Sequence, residues 1–202
     1  MKRIAVLASG FGSNLAAIIQ AVKRKKIKGA KVALVISDRQ DAYVLKRAEK
    51  HNIPAVCIAA SLDQSRTDYD KSVVKELKHH KIDMVVLAGF MRMISPYFVR
   101  AFRNKIINIH PALLPAFKGT DGIGAALCDG AKITGVTVHF VDEQMDHGPI
   151  ILQSPVEVRD NDTRETLAKK IHVLEHQLLP QTIDLFVKGK LKISGRRVLI
   201  KN

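Results

Sequence analysis

Two stretches bring together residue types that could carry out proton chemistry. In "NIHPALLP" (residues 108–115), Asn108 and His110 end an apolar run and stand two residues apart. On a strand that spacing sends both side chains to the same face. An amide N–H beside an imidazole can hold a developing oxyanion and pass a proton. The ring then needs a carboxylate to orient it and to favour its protonated form. "VDEQMDHGP" (residues 141–149) offers Asp142 and Asp146, and spacing alone does not choose between them. The plainer alternative is a histidine bonded to a backbone carbonyl and an aspartate in a Gly-Pro turn.

A different chemistry is suggested by "ASGFGSN" (residues 8–14). Gly10 and Gly12 permit a tight turn after an apolar strand, and Gly12, Ser13 and Asn14 would open a helix. Unpaired amides and the helix dipole there make a seat for a phosphate. The full dinucleotide fingerprint wants glycine where Leu15 stands, and the lysine of a P-loop is missing, so a compact monophosphate fits better. The plain alternative is a strand-to-helix turn capped by Ser13. "HVLEH" (residues 172–176) matches an inverted zinc-peptidase pattern, but so short a pattern recurs by chance and no third ligand is marked. No metal is expected. His51, His79 and His80 fall at charged helix ends, and His139 reads as a core or supporting histidine.

The elements that must position these groups alternate. Apolar runs "RIAVLAS", "KVALVIS", "PAVCIAA", "DMVVLAG" and "KIINIH" are separated by helical patterns, with Pro96 initiating one of them. Continuous rather than alternating apolar runs indicate parallel strands covered on both faces. The expected class is therefore α/β: a doubly wound, mostly parallel, Rossmann-like sheet with helices on both faces. In such sheets ligands bind beyond the C-terminal ends of the strands, which nominates "SGFGSN", "AGFMRMIS" and "NIHPALLP" for one crevice. After Ala116 come a glycine-rich stretch, two further strands ("TGVTVHFV" and "GPIILQSPVEV") and a long C-terminal helix that Pro180 should kink or split. With no linker or repeat, one domain over residues 1–202 is expected.

Composition adds limits. The 202 residues carry a formal net charge of +14, much of it in "KRKKIKGAK" (residues 23–31) and the C-terminal "KGKLKISGRRVLIKN". Such a field attracts anions. Only 5% of residues are aromatic, too few for the stacking platforms of single-stranded nucleic-acid binders, so no nucleic-acid partner is expected. Nothing approaches a membrane span, and the opening "KRIAVLASG" is too soon punctuated by glycine for a signal peptide. Cys57 and Cys128 make neither a disulfide framework nor a metal spacing, which suits a reducing, cytoplasmic setting.

Taken together, "SGFGSNL", "VVLAGFMRMIS", "NIHPALLP", "TGVTVHFVDEQMDHGPIILQ" and "LEHQLLP" resemble the phosphoribosylglycinamide formyltransferase family in order and spacing, over nearly the whole chain. The resemblance implies a formyltransferase using 10-formyltetrahydrofolate as donor and glycinamide ribonucleotide as acceptor in purine synthesis. The ribonucleotide phosphate site would lie in the N-terminal half, with the folate loop and a closing helix in the C-terminal half. Gly12, Ser13 and Asn14 would hold the phosphate, and Glu175 the ribose hydroxyls. Arg66 would sit beside the folate, with Gly89 and Met91 flooring the space between substrates. Arg92, Met93, Ile94, Val141 and Asp142 would enclose the pterin. Asn108, His110 and Asp146 would be the catalytic three, stabilising a tetrahedral intermediate with His110 protonated. Two positions depart from the family pattern: His172 stands where a phosphate-donating glutamine is common, and "GTDGIGAAL" carries Asp121 and glycines where some members have histidines. That glycine-rich loop is expected to be mobile before substrates arrive.

The same residues leave rivals. A formyltransferase acting on initiator methionyl-tRNA would be expected to carry a further C-terminal domain. A folate hydrolase would be expected to carry a regulatory domain before the first strand. A basic α/β nucleic-acid-binding module would transfer nothing. Monomer and homodimer are equally compatible with the sequence.

Overall fold

The computed structural model describes residues 1–61 and 63–201. In chain order the elements are β1 (Lys2–Leu7), α1 (Ser13–Lys23), β2 (Ala30–Ser37), α2 (Tyr43–Lys50), β3 (Ala55–Cys57), α3 (Arg66–His79), β4 (Met84–Leu87), α4 (Pro96–Ala101) and β5 (Ile106–His110). There follow α5 (Gly122–Cys128), β6 (Ile133–Phe140), β7 (Ile150–Glu157), α6 (Arg164–Val187), β8 (Leu191–Ser194) and β9 (Arg197–Ile200). The chain forms two compact units, Met1–Ile107 and Asn108–Asn202. The class is the expected α/β, a mixed, mostly parallel sheet with helices.

Unit 1 runs in the strand order β3-β2-β1-β4-β5. β1 lies parallel to both β2 and β4, and β2 lies parallel to β3. Ile4–Leu7 and Met84–Leu87 are buried at every position, so these strands are covered on both faces. The covering stripes follow helical spacing: Leu15, Ile18 and Ile19 on α1, Val44 and Ala48 on α2, and Tyr69, Val73 and Leu77 on α3. The Ser65 hydroxyl caps α3 through the Asp68 amide at 3.1 Å, and Pro96 opens α4 in the first turn, where its missing N–H costs nothing. Because the connections leave β1 towards β2 on one side and β4 on the other, the loops after β1 and β4 meet at a topological switch point.

Unit 2 runs β5-β6-β7-β9-β8. β6 and β7 are antiparallel, with the register shifting between Val138 and His139. β8 and β9 form a second antiparallel pair, and β9 meets β7 in parallel where Ile150 faces Arg197. Thr163 opens α6 with a capping box, its hydroxyl taking the Thr166 amide while the Thr166 hydroxyl takes the Thr163 amide.

Two sequence expectations change here, and one stretch left unassigned takes on structure. Pro180 does not split the C-terminal helix: α6 continues for 24 residues, with Leu178, Leu179, Thr182 and Ile183 buried on both sides of it. Burial of that face outweighs the one lost backbone bond. The glycine-rich stretch folds into α5, whose first turn is capped by Asp121 accepting from the Gly124 amide at 3.0 Å. The basic C-terminus forms β8 and β9, where lysines and arginines occupy exposed strand positions.

Gly148, in unit 2, has no spare room. A Cβ on Gly148 would collide with the backbone carbonyl of Phe140. Gly148→Ala should therefore lower stability by roughly 2–3 kcal/mol in urea unfolding. Gly10→Ala, which meets nothing within 4 Å, should stay within about 0.5 kcal/mol of the parent.

Candidate active site

In unit 2 the polar end of β5 collects a buried cluster. His110, only 3% exposed, directs its Nε2–H at the Phe117 carbonyl (2.7 Å) and its Nδ1 at Asp146 Oδ2 (3.5 Å). The Asn108 amide donates to Asp146 Oδ1 at 3.4 Å. Gly119 N–H donates to Asp146 Oδ2 at 2.9 Å. Asp146 reaches this position with φ +48°, a left-handed conformation that aspartate tolerates better than most residues. Asp142 goes elsewhere: it binds His147 Nδ1 at 2.7 Å and the Gln144 amide at 3.0 Å. Arg196 of the C-terminal hairpin then holds His147 through its ring Nε2 (2.7 Å) and its carbonyl (2.9 Å). The two aspartates that spacing could not separate thus have different partners.

His139 is a member of the cluster that sequence reasoning left outside the site. Its Nδ1–H donates to the Phe140 carbonyl at 2.8 Å, which leaves Nε2 to accept from the Asn108 amide at 3.2 Å. The same nitrogen lies 3.7 Å from Asp146 Oδ1. Alternation along β6 puts Thr137 and His139 on one face, and only the cross-strand position of Asn108 reveals the pairing. Thr137 explains how the proline-rich turn is fixed. Its hydroxyl accepts from the Leu114 amide (3.0 Å) and donates to the Ala112 carbonyl (2.7 Å), while Gln153 donates to the Leu114 carbonyl (2.9 Å).

The segment after that turn is anchored at both ends. Phe117 and Gly119 touch His110 and Asp146, and Asp121 forms a two-pronged ion pair with Arg164 of α6 at 2.7 and 2.9 Å. Gly122 lets α5 approach, since a Cβ there would stand 3.3 Å from His110 Nε2. On α6, Glu175 is buried and His172 is exposed, its ring stacked against His176 at 6.4 Å between centroids. Among the described residues no group of three His, Cys, Asp or Glu side chains is arranged to hold a metal ion.

Unit 1 carries the other expected residues at the ends of β1 and β4. Gly12, not Ser13, is the N-cap of α1, at φ +73° and with no side-chain cap. Ser13 and Asn14 begin the helix itself. The β4 loop is tied to the β1 loop twice: Ser9 N–H donates to the Gly89 carbonyl (2.9 Å), and the Ser9 hydroxyl accepts from the Met91 amide (2.8 Å). Met91 and Met93 are exposed apolar side chains, and Ile94 is half-buried. The Arg66 guanidinium reaches the Met93 sulfur at 3.1 Å, and Arg92 lies over the Tyr69 ring at 4.2 Å. Val141, in unit 2, is half-buried at the start of the Asp142 loop.

Electrostatics distinguish His110 from Asp146. Burial pushes the His110 pKa below its ordinary value, and the nearby Asp146 carboxylate only partly offsets this. The ring expected to be protonated is thus favoured neutral in the structure. Burial opposes the charge of Asp146 as well, but the groups around it, the Gly119 amide among them, outweigh it, and its pKa is lowered. A lowered folded-state pKa means that the unfolded chain takes up protons first, so stability falls as pH drops below about 6.5. Replacing the ring by an amide, His110→Gln, should make the loss of urea stability between pH 7.5 and 5.5 shallower than in the parent. His176, lowered chiefly by burial, should supply part of the slope that persists.

Comparison with known proteins agrees with this arrangement of elements. The family described as "Formyl transferase" matches residues 2–183. Phosphoribosylglycinamide formyltransferase of Bacillus subtilis is 42% identical over 91% of this chain and 93% of its own. The protein of that name in Escherichia coli is 42% identical over 94% of this chain and 89% of its own. The crystal structure of glycinamide ribonucleotide transformylase 1 from Symbiobacterium toebii superposes with a TM-score of 0.97 at 45% identity, covering 100% of this chain and 95% of that one. The chain belongs to the phosphoribosylglycinamide formyltransferase family of formyl transferases.

Proposed function

We propose that this protein transfers the formyl group of 10-formyltetrahydrofolate to the amine of glycinamide ribonucleotide in de novo purine synthesis. The observation that carries the reading is the meeting of Asn108, His110 and the low-pKa carboxylate of Asp146 in one buried cluster. The folate supplies the formyl group, and the chain's residues handle charge and protons. As the amine adds to the formyl carbon, the carbonyl electron pair moves onto oxygen. Asn108 Nδ2–H and His110 Nε2–H donate to that oxygen. The growing negative charge raises the proton affinity of the neutral imidazole, and Asp146 beside Nδ1 stabilises the ring when it takes up a second proton. That proton comes from the attacking nitrogen, which must lose it, and reaches Nδ1 by way of the Asp146 carboxylate that faces this ring nitrogen. Return of the oxygen's electron pair then breaks the bond from carbon to N10 of the folate, and N10 takes the proton.

The other residues divide the binding. Amides of Gly12, Ser13 and Asn14 at the uncapped start of α1 suit a phosphate dianion. Glu175 accepts the ribose hydroxyls, and His172 donates to the phosphate. Gly89, Met91, Met93 and Ile94 give the folate an apolar wall, Arg92, Val141 and Asp142 are assigned to the same ligand by the family resemblance, and Arg66 meets its carboxylate. The +14 charge suits two anionic substrates. Among the described residues no helix is long and apolar enough to cross a membrane, and we place the reaction in the cytoplasm.

An absorbance assay of folate release with and without glycinamide ribonucleotide tests the reaction. Release that needs the amine supports the transferase, and release without it marks a hydrolase. Asn108→Ala and Asp146→Asn should each lower kcat by about 10²–10³ while leaving KM for the ribonucleotide within about threefold. Parent-like turnover of either variant at saturating substrate would overturn the assigned roles.

A further inference from the structure

The loop that opens α1 is held by something no motif announced. Phe11, between the two glycines, is 64% exposed, and its ring stacks on the half-exposed Tyr43 ring of α2 at 5.1 Å and 11°. The Arg47 guanidinium covers both rings, 4.3 Å from the centroid of Phe11 and 4.9 Å from that of Tyr43. Its Nε–H also donates to the Phe11 carbonyl at 2.8 Å. One helical turn thus touches the loop through Tyr43, Val44 and Arg47. Val44 supplies two contacts of its own: its amide donates to the Gly10 carbonyl at 3.0 Å, and its side chain fills the space where a Gly12 Cβ would stand.

These contacts answer a mechanical need. Gly12 sits at φ +73° with no side-chain cap, in a residue type with the widest choice of alternative conformations. A phosphate seat made of backbone amides works only while those amides converge, and the bond α1 makes to Gly12, from the Ala16 amide to the Gly12 carbonyl at 3.2 Å, leaves the preceding Phe11 peptide to be held from elsewhere. We propose that Arg47 is a positioning residue for the ribonucleotide phosphate. It clamps the Phe11 peptide from α2 and so fixes the direction of the amides at Gly12, Ser13 and Asn14. The inference rests on the phosphate reading given above.

Arg47→Met should raise KM for the ribonucleotide by about five- to tenfold, leaving kcat and the folate KM within about twofold. The inhibition constant of inorganic phosphate should rise by the same factor. Arg47→Lys, which keeps a cation over the rings but loses the Nε–H bond, should recover part of the loss. Lys46→Met removes the same charge from the next residue of α2 and should change nothing, so an equal effect there would reduce the role of Arg47 to a general field and overturn the proposal. If Arg47→Met does not fold, Phe11→Leu carries the same expectation, because it removes one ring from beneath the guanidinium. Parent-like KM in folded Arg47→Met or in Phe11→Leu overturns the clamp. Gly12→Ala separates the two ideas. If it raises KM while the clamp variants do not, only the role of Arg47 fails; if it leaves KM and phosphate inhibition unchanged, the phosphate reading itself fails.

Discussion

A carboxylate placed in a poorly solvated cluster must be compensated, and the geometry around Asp146 is that compensation. Its two oxygens accept from the Asn108 amide and the Gly119 N–H. A buried charge without such partners would be neutralised or expelled. This requirement explains why β5 ends on alternating polar residues, why the 117–119 segment returns to touch them, and why Asp146 adopts its left-handed backbone. Removing any donor would also alter the charge state of the groups that remain.

Unit 1 solves a different problem, that of holding an anion with backbone alone. A parallel pair places the ends of β1 and β4 side by side, and Ser9 stitches their loops together through both its amide and its hydroxyl. The helix start then supplies donors without a charged side chain of its own. Backbone donors are geometrically exact only if their loop is rigid, which is why the packing of α2 against Gly10–Gly12 matters as much as the glycines. Sequence and packing work together here: small residues make the approach possible, and a neighbouring helix makes it permanent.

Much of this could be read from the chain. Continuous apolar runs gave the buried parallel strands, because residues covered on both faces leave no alternating pattern to disguise them. Asn108, His110 and the loop containing Asp146 stood out as polar groups where a strand should simply end. Other features were hidden for physical reasons. Gly122 and Gly124 depress helix propensity, so α5 forms through its Asp121 cap and its contacts with α6 rather than through its own sequence. β8 and β9 were masked by their charge, since lysine and arginine at exposed strand positions weaken the apolar pattern by which a strand is recognised. Family likeness, not spacing, favoured Asp146 over Asp142, and their separate partners depend on a turn whose dihedral angles no periodicity encodes. The clamp of Arg47 on Phe11 joins residues 36 positions apart through ring geometry, and nothing in either local sequence points to the other.

The bond from His110 Nε2 to the Phe117 carbonyl bears on how the proposed chemistry would divide ground-state affinity from rate. An incoming neutral carbonyl would exchange with one already present, trading like for like and gaining almost nothing in enthalpy. An oxygen acquiring full negative charge is a far stronger acceptor and would win that exchange decisively. The protein's own peptide group would thus act as an internal reference ligand, cancelling the pull on the resting substrate and leaving a net advantage only at the summit of the barrier.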